Sequence, residues 1–200
     1  MTGIEDVKSQ KILYHLTKFE NLDSILKFGL LPRNVLLKQN KIFNDIADPN
    51  IISKRAGLAN YVPFHFHPYS AFDVAVKSKH DGQTMIYICI RREYAKNNGF
   101  YVLPRHPLSD ENIQLFNYDD GFNKIDWDTM KTKNRTDNYA KEVKMAECLT
   151  KSGIPANCFA CIFVPSEEIK NEVEKKLKQN GIYSPYIVHV QKKWFNISGR

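Results

Sequence analysis

The sequence predicts an α+β domain built on a mostly antiparallel or mixed β-sheet. Short apolar runs typical of strands outnumber the helical patterns, and long polar segments join them. The sequence lacks the regular strand–helix alternation of a doubly wound parallel sheet, and it lacks the glycine fingerprint and the P-loop that bind nucleotides in such folds. A length of 200 residues suits one domain, so we predict a single domain over residues 1–200.

The chain is predicted to begin with a strand and a helix. Lys11–Thr17 predicts the strand. Residues 21–29 predict a short helix with polar residues at its start and Gly29 at its end. The polar stretch 33–60 predicts loops with one short helix.

Three strands are predicted in the middle of the chain. Tyr61–Phe66 has the composition of a strand, but Pro63 restricts it to a sheet edge or a strand start, because proline lacks the N–H that a ladder needs. Thr84–Ile90 is a continuous apolar run typical of a central strand, and Phe100–Leu103 is a shorter one. The residues from 104 to 135 are polar without periodicity, which predicts a long functional loop.

The last part of the chain adds two strands and the clearest helix. Residues 141–149 fit a period of 2 as well as a period of 3.6, so helix and strand both remain open there. Cys158–Val164 and Tyr186–Val190 predict strands. Ser166–Asn180 predicts a helix capped by Ser166, with acidic residues in its first turn and lysines in its last.

Composition excludes several classes of protein. Hydrophobic residues make up 42% and charged residues 26% of the chain, which is ordinary for a globular protein and unlike a disordered, collagen-like or coiled-coil chain. Apolar runs such as Met85–Ile90 are far shorter than the roughly 20 residues of a spanning helix, and the N-terminus is too polar for a secretion signal. We therefore expect a cytoplasmic protein with no membrane partner.

Two pairs of metal-binding residue types are present, and we expect neither to hold a metal. Cys158 and Cys161 have no second cysteine pair for zinc, and residues three apart on a strand face opposite ways. His65 and His67 share one face of a strand, but no third ligand stands at a suitable spacing. A zinc hydrolase is therefore a minor alternative.

Arg55 and Glu147 are the two residues that best suit a binding or catalytic role. Arg55 stands beside small residues and offers a bidentate fork for phosphate, although a solvated arginine is the ordinary alternative. Glu147 stands among apolar residues, where burial would make it a candidate acid or acceptor; a helix-face glutamate paired with a lysine is the alternative. With a net charge of +7, the chain favours a polyanionic partner. Basic residues that could hold one precede the glutamate: Lys131, Lys133, Arg135, Lys141 and Lys144.

A set of short blocks stands along the chain in the order Tyr14-His15-Leu16-Thr17, Asn21-Leu22, Ile25-Leu26, Gly29-Leu30, Ile46-Ala47-Asp48-Pro49, Ile52, Lys54-Arg55-Ala56-Gly57, Tyr61-Val62-Pro63-Phe64-His65-Phe66, Pro68, Ile125-Asp126-Trp127, Ala146-Glu147 and Trp194-Phe195. In this order the blocks resemble the DarT family, the DNA ADP-ribosyltransferase toxins of DarT–DarG toxin–antitoxin systems. The resemblance runs from about residue 11 to the end of the chain, and the Lys-Arg-Ala-Gly and Val-Pro-Phe-x-Phe blocks are most similar to the thymidine-modifying branch.

The chain departs from the family pattern at three places. His65 stands where the family often has an aromatic residue, and Ala71-Phe72 replaces an expected proline-methionine pair. Lysines replace an arginine that often precedes the glutamate.

The resemblance implies a fold and a cofactor site. It implies an ADP-ribosyltransferase-like split β-sheet core with a few short helices and a long substrate-recognition loop. His15 and Thr17 would hold the nicotinamide–ribose part of NAD, and Ser24 would contact the cofactor. The segment from about Leu37 to Arg55 would bind NAD, with Arg55 at the phosphates and near the reacting base.

The resemblance also implies the reaction. The segment from about residue 107 would recognise the substrate and end at the catalytic Glu147. Tyr118, Phe122 or Trp127 would stack on a base. We expect transfer of ADP-ribose from NAD to thymidine in single-stranded DNA, without a metal, by a toxin whose partner is a macrodomain antitoxin of the DarG type. The alternatives are a transferase of the same fold acting on guanosine, RNA or protein, and a non-catalytic nucleic-acid-binding module.

Overall fold

The computed structural model describes residues 6–41, 43–46, 56–68, 70–106, 114–132, 137–182 and 187–196. The strands are β1 Ile12–Lys18, β2 Val62–His65, β3 Met85–Arg91, β4 Tyr101–Leu103, β5 Phe116–Asn117, β6 Glu147–Thr150, β7 Cys161–Val164 and β8 Ile187–Val190. The helices are α1 Leu22–Phe28, α2 Arg33–Lys38, α3 Ala71–Lys79, α4 Arg92–Asn97, α5 Tyr118–Lys124, α6 Trp127–Lys131, α7 Asn138–Lys144, α8 Glu167–Gln179 and α9 Lys192–Phe195. Within the residues described, no helix has the length and apolar character needed to span a membrane.

The strands form one sheet in the order β5-β4-β6-β2-β1-β3-β7-β8. Neighbouring strands run antiparallel except for β7 and β8, which are parallel. This confirms the prediction of a mostly antiparallel or mixed sheet. The predicted central strand is β3, which is buried along six of its seven residues.

The sheet opens between β1 and β2. β1 pairs with β3 along all seven of its residues, from Ile12 opposite Arg91 to Lys18 opposite Met85. With β2 it pairs at a single register position, where Tyr14 lies opposite His65. The two strands then diverge, so the sheet is split along this line.

Pro63 lies in a strand inside the sheet, so of the two predicted locations the sheet edge was wrong and the start of a strand is the one that fits. It is the second residue of β2, which lies between β6 and β1. Its missing N–H is tolerated because β1 and β2 have separated there, and its carbonyl oxygen accepts a hydrogen bond from His15 Nδ1 at 2.8 Å. The opening of the sheet therefore explains a proline at an interior position.

Apolar side chains cover both faces of the sheet. The larger cluster joins strand residues to α1, α5, α6 and α8. The smaller one is rich in aromatic rings: Trp194 of α9 lies edge-on to Tyr14 at 5.8 Å and to Tyr87 at 6.1 Å. Ser166 caps α8 by accepting a hydrogen bond from Ile169 N at 3.3 Å, as its sequence predicts. These contacts fix the strands that border the split.

Part of the predicted loop from residue 104 to 135 is helical. Residues 116–131 contain β5, α5 and α6. The apolar side of these helices is short and aromatic, so the sequence shows no helical period there. The helices are instead stabilised by packing against the sheet. Tyr118 and Trp127 are buried in the larger cluster, which excludes them as freely exposed stacking platforms for a base. Phe122 is half-buried and packs against both of them.

Candidate active site

A cavity of about 200 Å³ occupies the split between β1 and β2. The end of β1, α1, the segments 29–36 and 43–46, and the start of β2 form its walls. The cavity exists because β1 and β2 diverge beyond Tyr14 and His65. Three of the predicted NAD-binding residues, His15, Thr17 and Ser24, line it.

His15 is held in one tautomer at the edge of the split. Its Nδ1 lies 2.8 Å from the carbonyl oxygen of Pro63, which can only accept a hydrogen bond, so Nδ1 carries the hydrogen. Burial lowers the pKa of His15 to about 4. The ring is therefore neutral near pH 7, and its Nε2 is a hydrogen-bond acceptor. An acceptor of this kind suits an amide or hydroxyl of a ligand.

Asn21 connects β1 to the segment 43–46, and it is a site residue that was not predicted from the sequence. Its Nδ2 donates to Thr17 Oγ1 at 3.1 Å and to the carbonyl oxygen of Asn44 at 3.0 Å. Its Oδ1 accepts from the backbone N–H of Asn44 at 2.7 Å. An asparagine before a helix is usually a cap, but Asn21 makes no cap hydrogen bond to α1. It orients Thr17 and one wall of the cavity instead.

An ion pair forms between two of the residues that line the cavity. Arg33 Nε donates to Asp45 Oδ2 at 2.6 Å, and both side chains are about one-third exposed. Arg33 begins α2, and Asp45 lies in the segment that Asn21 holds. Of the predicted NAD-binding element, about Leu37 to Arg55, residues 43–46 line the cavity.

Glu147 lies one strand away from the cavity. It is the first residue of β6, opposite His65 of β2 and Leu103 of β4, and is only 2% exposed. The alternative of a glutamate on a helix face is wrong, since helix α7 ends at Lys144 and a strand begins at Glu147. Side chains directly opposite each other have Cβ atoms about 4.5–5.5 Å apart. Because His65 lines the cavity, the carboxylate is adjacent to a cavity-lining side chain.

Arg55 and residues 47–54 lie outside the described residues, so its predicted position at the phosphates stays a prediction. In the described ranges, no group of three or more His, Cys, Asp or Glu side chains is arranged to hold a metal ion. Cys161 lies opposite Cys89 in the β3–β7 ladder, while Cys158 belongs to the preceding turn 156–158.

The arrangement combines a split sheet, a cavity with a neutral imidazole and a hydroxyl group, and a buried carboxylate beside it. Together with the matches that follow, these features define the class of the protein as an ADP-ribosyltransferase. The family described as "ssDNA thymidine ADP-ribosyltransferase, DarT" matches residues 14–196. The chain belongs to the DarT family.

Individual relatives agree with this assignment. The DNA ADP-ribosyl transferase of Escherichia coli O127:H6 (strain E2348/69 / EPEC) is 24% identical over 205 residues, which covers 92% of this chain and 93% of that protein. The structure of Thermus sp. 2.9 DarT in complex with ADP-ribosylated ssDNA superimposes with a TM-score of 0.81 at 25% identity, covering 93% of this chain and 96% of that one.

Two further structures share the fold. Thermus sp. 2.9 DarT in complex with NAD+ has a TM-score of 0.77 at 23% identity, with 94% of this chain and 98% of that chain covered. Thermosipho africanus DarTG in complex with ADP-ribose has a TM-score of 0.75 at 18% identity, and the match covers 93% of this chain and 51% of that chain. The predicted ADP-ribosyltransferase fold is confirmed.

Proposed function

We propose that this protein transfers ADP-ribose from NAD to thymidine in single-stranded DNA, with NAD bound in the split and Glu147 as the catalytic carboxylate. The observation that carries the proposal is the buried Glu147 directly across the ladder from a residue that lines the cavity. The structures of relatives in complex with NAD+ and with ADP-ribosylated ssDNA support the donor and the acceptor.

The residues of the cavity suit the nicotinamide–ribose part of NAD. His15 offers a neutral acceptor, Thr17 a hydroxyl oriented by Asn21, and Ser24 a second hydroxyl on α1. Arg55 would hold the pyrophosphate, for which a planar guanidinium is well shaped. These groups would orient the anomeric carbon of the ribose toward Glu147.

The reaction breaks the bond between the anomeric carbon and the nicotinamide nitrogen, and positive charge develops on the ribose as the bond lengthens. Glu147 would stabilise that charge, since a preorganised carboxylate in a water-excluded site acts more strongly than one in water. Nicotinamide leaves with the electron pair of the broken bond. The bond that forms joins the same carbon to a nitrogen of the thymine base, and the proton of that nitrogen would pass to Glu147. Positioning of the two reactants contributes up to roughly 7–11 kcal/mol. The base must leave its stack, which favours single-stranded DNA.

The cellular role follows from the same relatives. We propose a toxin that acts in the cytoplasm, where its DNA substrate is found, and that pairs with a macrodomain antitoxin of the DarG type. The Thermosipho relative named DarTG supports this pairing.

The test is a mass-spectrometric assay of the purified protein with NAD and single-stranded oligonucleotides. We expect one added ADP-ribose on thymidine-containing DNA, at a rate about 100- to 1,000-fold lower for Glu147→Gln. The exposed Glu174→Gln on α8 is the matched control and should keep full activity. Addition only to guanine-containing DNA, to RNA or to protein would show that the substrate is not thymidine in DNA. DNA binding without any addition would favour the non-catalytic module.

A further inference from the structure

We propose that His65 is a further NAD-binding residue of this chain, whose ring nitrogen binds a hydroxyl of the nicotinamide-side ribose next to Glu147. The proposal rests on the proposed function and adds a substrate contact to it.

The first observation is that His65 has an unsatisfied buried atom. The side chain is 5% exposed, and its Nδ1 forms no hydrogen bond with any part of the chain that the structure describes. A buried polar atom without a partner costs about 1–3 kcal/mol of stability. Such atoms are rare in native proteins, and they often mark a place where a ligand or water supplies the partner.

The second observation is where His65 lies. It occupies one row of the sheet with Tyr14 of β1 and Glu147 of β6, because each is the register partner of the next. It also lines the cavity that contains His15 and Thr17. His65 therefore borders the cavity of the predicted nicotinamide–ribose site and is also the cross-strand neighbour of Glu147. A ligand in the cavity that also contacts Glu147 would lie close to the imidazole of His65.

The third observation is that the ring is held in place. The ring centres of His65 and Phe72 are 5.3 Å apart with a 30° angle between the planes, and Phe72 of α3 also lines the cavity. This packing fixes the ring plane without using either ring nitrogen. An oriented imidazole loses little conformational entropy when it binds a ligand, which makes a single hydrogen bond effective.

The chemistry points to a sugar diol. A neutral imidazole has one donor and one acceptor nitrogen, and a hydroxyl group can pair with either. The ribose beside the breaking bond carries two neighbouring hydroxyls. Glu147 and His65 lie on adjacent strands about 5 Å apart at Cβ, so one ribose can contact both side chains.

The test measures binding of carba-NAD, a non-reactive NAD analogue, by isothermal titration calorimetry without DNA, so that it does not depend on transfer. His65→Phe keeps an aromatic ring against Phe72 and removes both nitrogens; we expect affinity to fall about 3- to 10-fold, as for one neutral hydrogen bond. His65→Asn restores a polar atom near the position of Nδ1 and should recover part of the loss.

Two controls separate binding from folding. His80→Phe makes the same chemical change at a histidine that also has a buried unpaired nitrogen, but His80 does not line the cavity, so affinity should not change. The melting temperature of His65→Phe should equal or exceed that of the wild type, because the change removes an unsatisfied group. A structural role for His65 would instead lower the melting temperature.

The outcomes are distinct. If the wild type binds carba-NAD and both His65 variants bind it equally well, the proposal for His65 is wrong and the proposed function stands. If the wild type does not bind carba-NAD, the proposed function fails first. If His65→Phe does not fold, the wild type is titrated with carba-NAD that lacks the hydroxyls of the nicotinamide-side ribose. An affinity equal to that for carba-NAD itself then overturns the proposed contact.

Discussion

The guanidinium of Arg92 donates a hydrogen bond to the carbonyl oxygen of Phe66 at 3.3 Å and lies 5.2 Å from the centre of the Phe66 ring. It also donates to the carbonyl oxygens of Val7 and Lys8 at 2.9 Å and of Ile12 at 3.2 Å. One buried cation therefore connects the chain start, the end of β2 and the core beside α5 and α6.

Arg92→Lys should destabilise the protein by about 3 kcal/mol or more. A lysine ammonium cannot match the planar fork, so the buried carbonyl oxygens of Val7 and Phe66 lose their donor at about 1–3 kcal/mol each, and two partly buried ones lose theirs as well. Urea unfolding at pH 7 measures the change. Arg91→Lys, at the exposed neighbouring position, should shift the free energy of unfolding by less than about 0.5 kcal/mol. Equal effects of the two substitutions would show that the carbonyl contacts of Arg92 contribute nothing.

Gly29→Ala should destabilise the fold by about 2–4 kcal/mol. Gly29 has φ of +82°, and a Cβ there would lie 2.7 Å from the backbone oxygen of Ile154. A left-handed conformation costs an L-residue roughly 1–2 kcal/mol, and the clash adds to it. Thermal unfolding measures the effect, and Gly57→Ala is the control, since a Cβ at Gly57 meets no atom within 4 Å. A Gly29→Ala melting curve like that of Gly57→Ala would contradict this expectation.

The stability of the protein should decrease in mild acid because of His15. Its pKa is about 4 in the folded protein, against an ordinary value of 6.5. Between these values the folded state binds fewer protons than the unfolded chain, so the free energy of unfolding falls as the pH drops through this range. The loss from pH 7 to 4 is up to about 3 kcal/mol. The control is His15→Asn, whose amide can still donate a hydrogen bond to Pro63. In urea unfolding its free energy of unfolding should fall by about 3 kcal/mol less than that of the wild type over this pH range. An identical pH profile for the two proteins would show that His15 does not cause the loss.

Tyr139→Ala should weaken binding of single-stranded DNA by about 5- to 100-fold. Tyr139 is 44% exposed on α7, shortly before Glu147, and its hydroxyl donates to Asp126 Oδ2 at 3.2 Å. A fixed, exposed ring can stack on a base, which contributes about 1–3 kcal/mol. Fluorescence anisotropy with a thymidine-containing oligonucleotide measures the affinity. Phe28→Ala removes an equally exposed ring on α1 and should have little effect. The reverse ranking would place the DNA near α1.

Local patterns predicted much of the fold. The apolar run of β3 and the Ser166 cap of α8 depend on neighbouring residues, and both are confirmed. The family, the enzyme class, the NAD donor and the single-stranded DNA substrate came from the order of several short blocks. They are confirmed by the family match and the relatives, whereas the roles of Glu147, Arg55, His15, Thr17 and Ser24 stay predictions.

The errors arose where distant contacts decide the structure. Pro63 is accommodated because β1 turns away from β2, which no pattern near Pro63 reveals. Residues 141–149 fitted both periods because they contain the end of helix α7 and the start of strand β6. Asn21 was missed because its partners Thr17 and Asn44 lie on different segments.

The split also has a mechanical consequence. Four strands lie on each side of it, and in the described strands the two halves share one register position together with the hydrogen bond from His15 to Pro63. A force applied across the strands would meet its lowest resistance along this seam. A ligand bound in the cavity would contact residues of both halves and so add links across this seam.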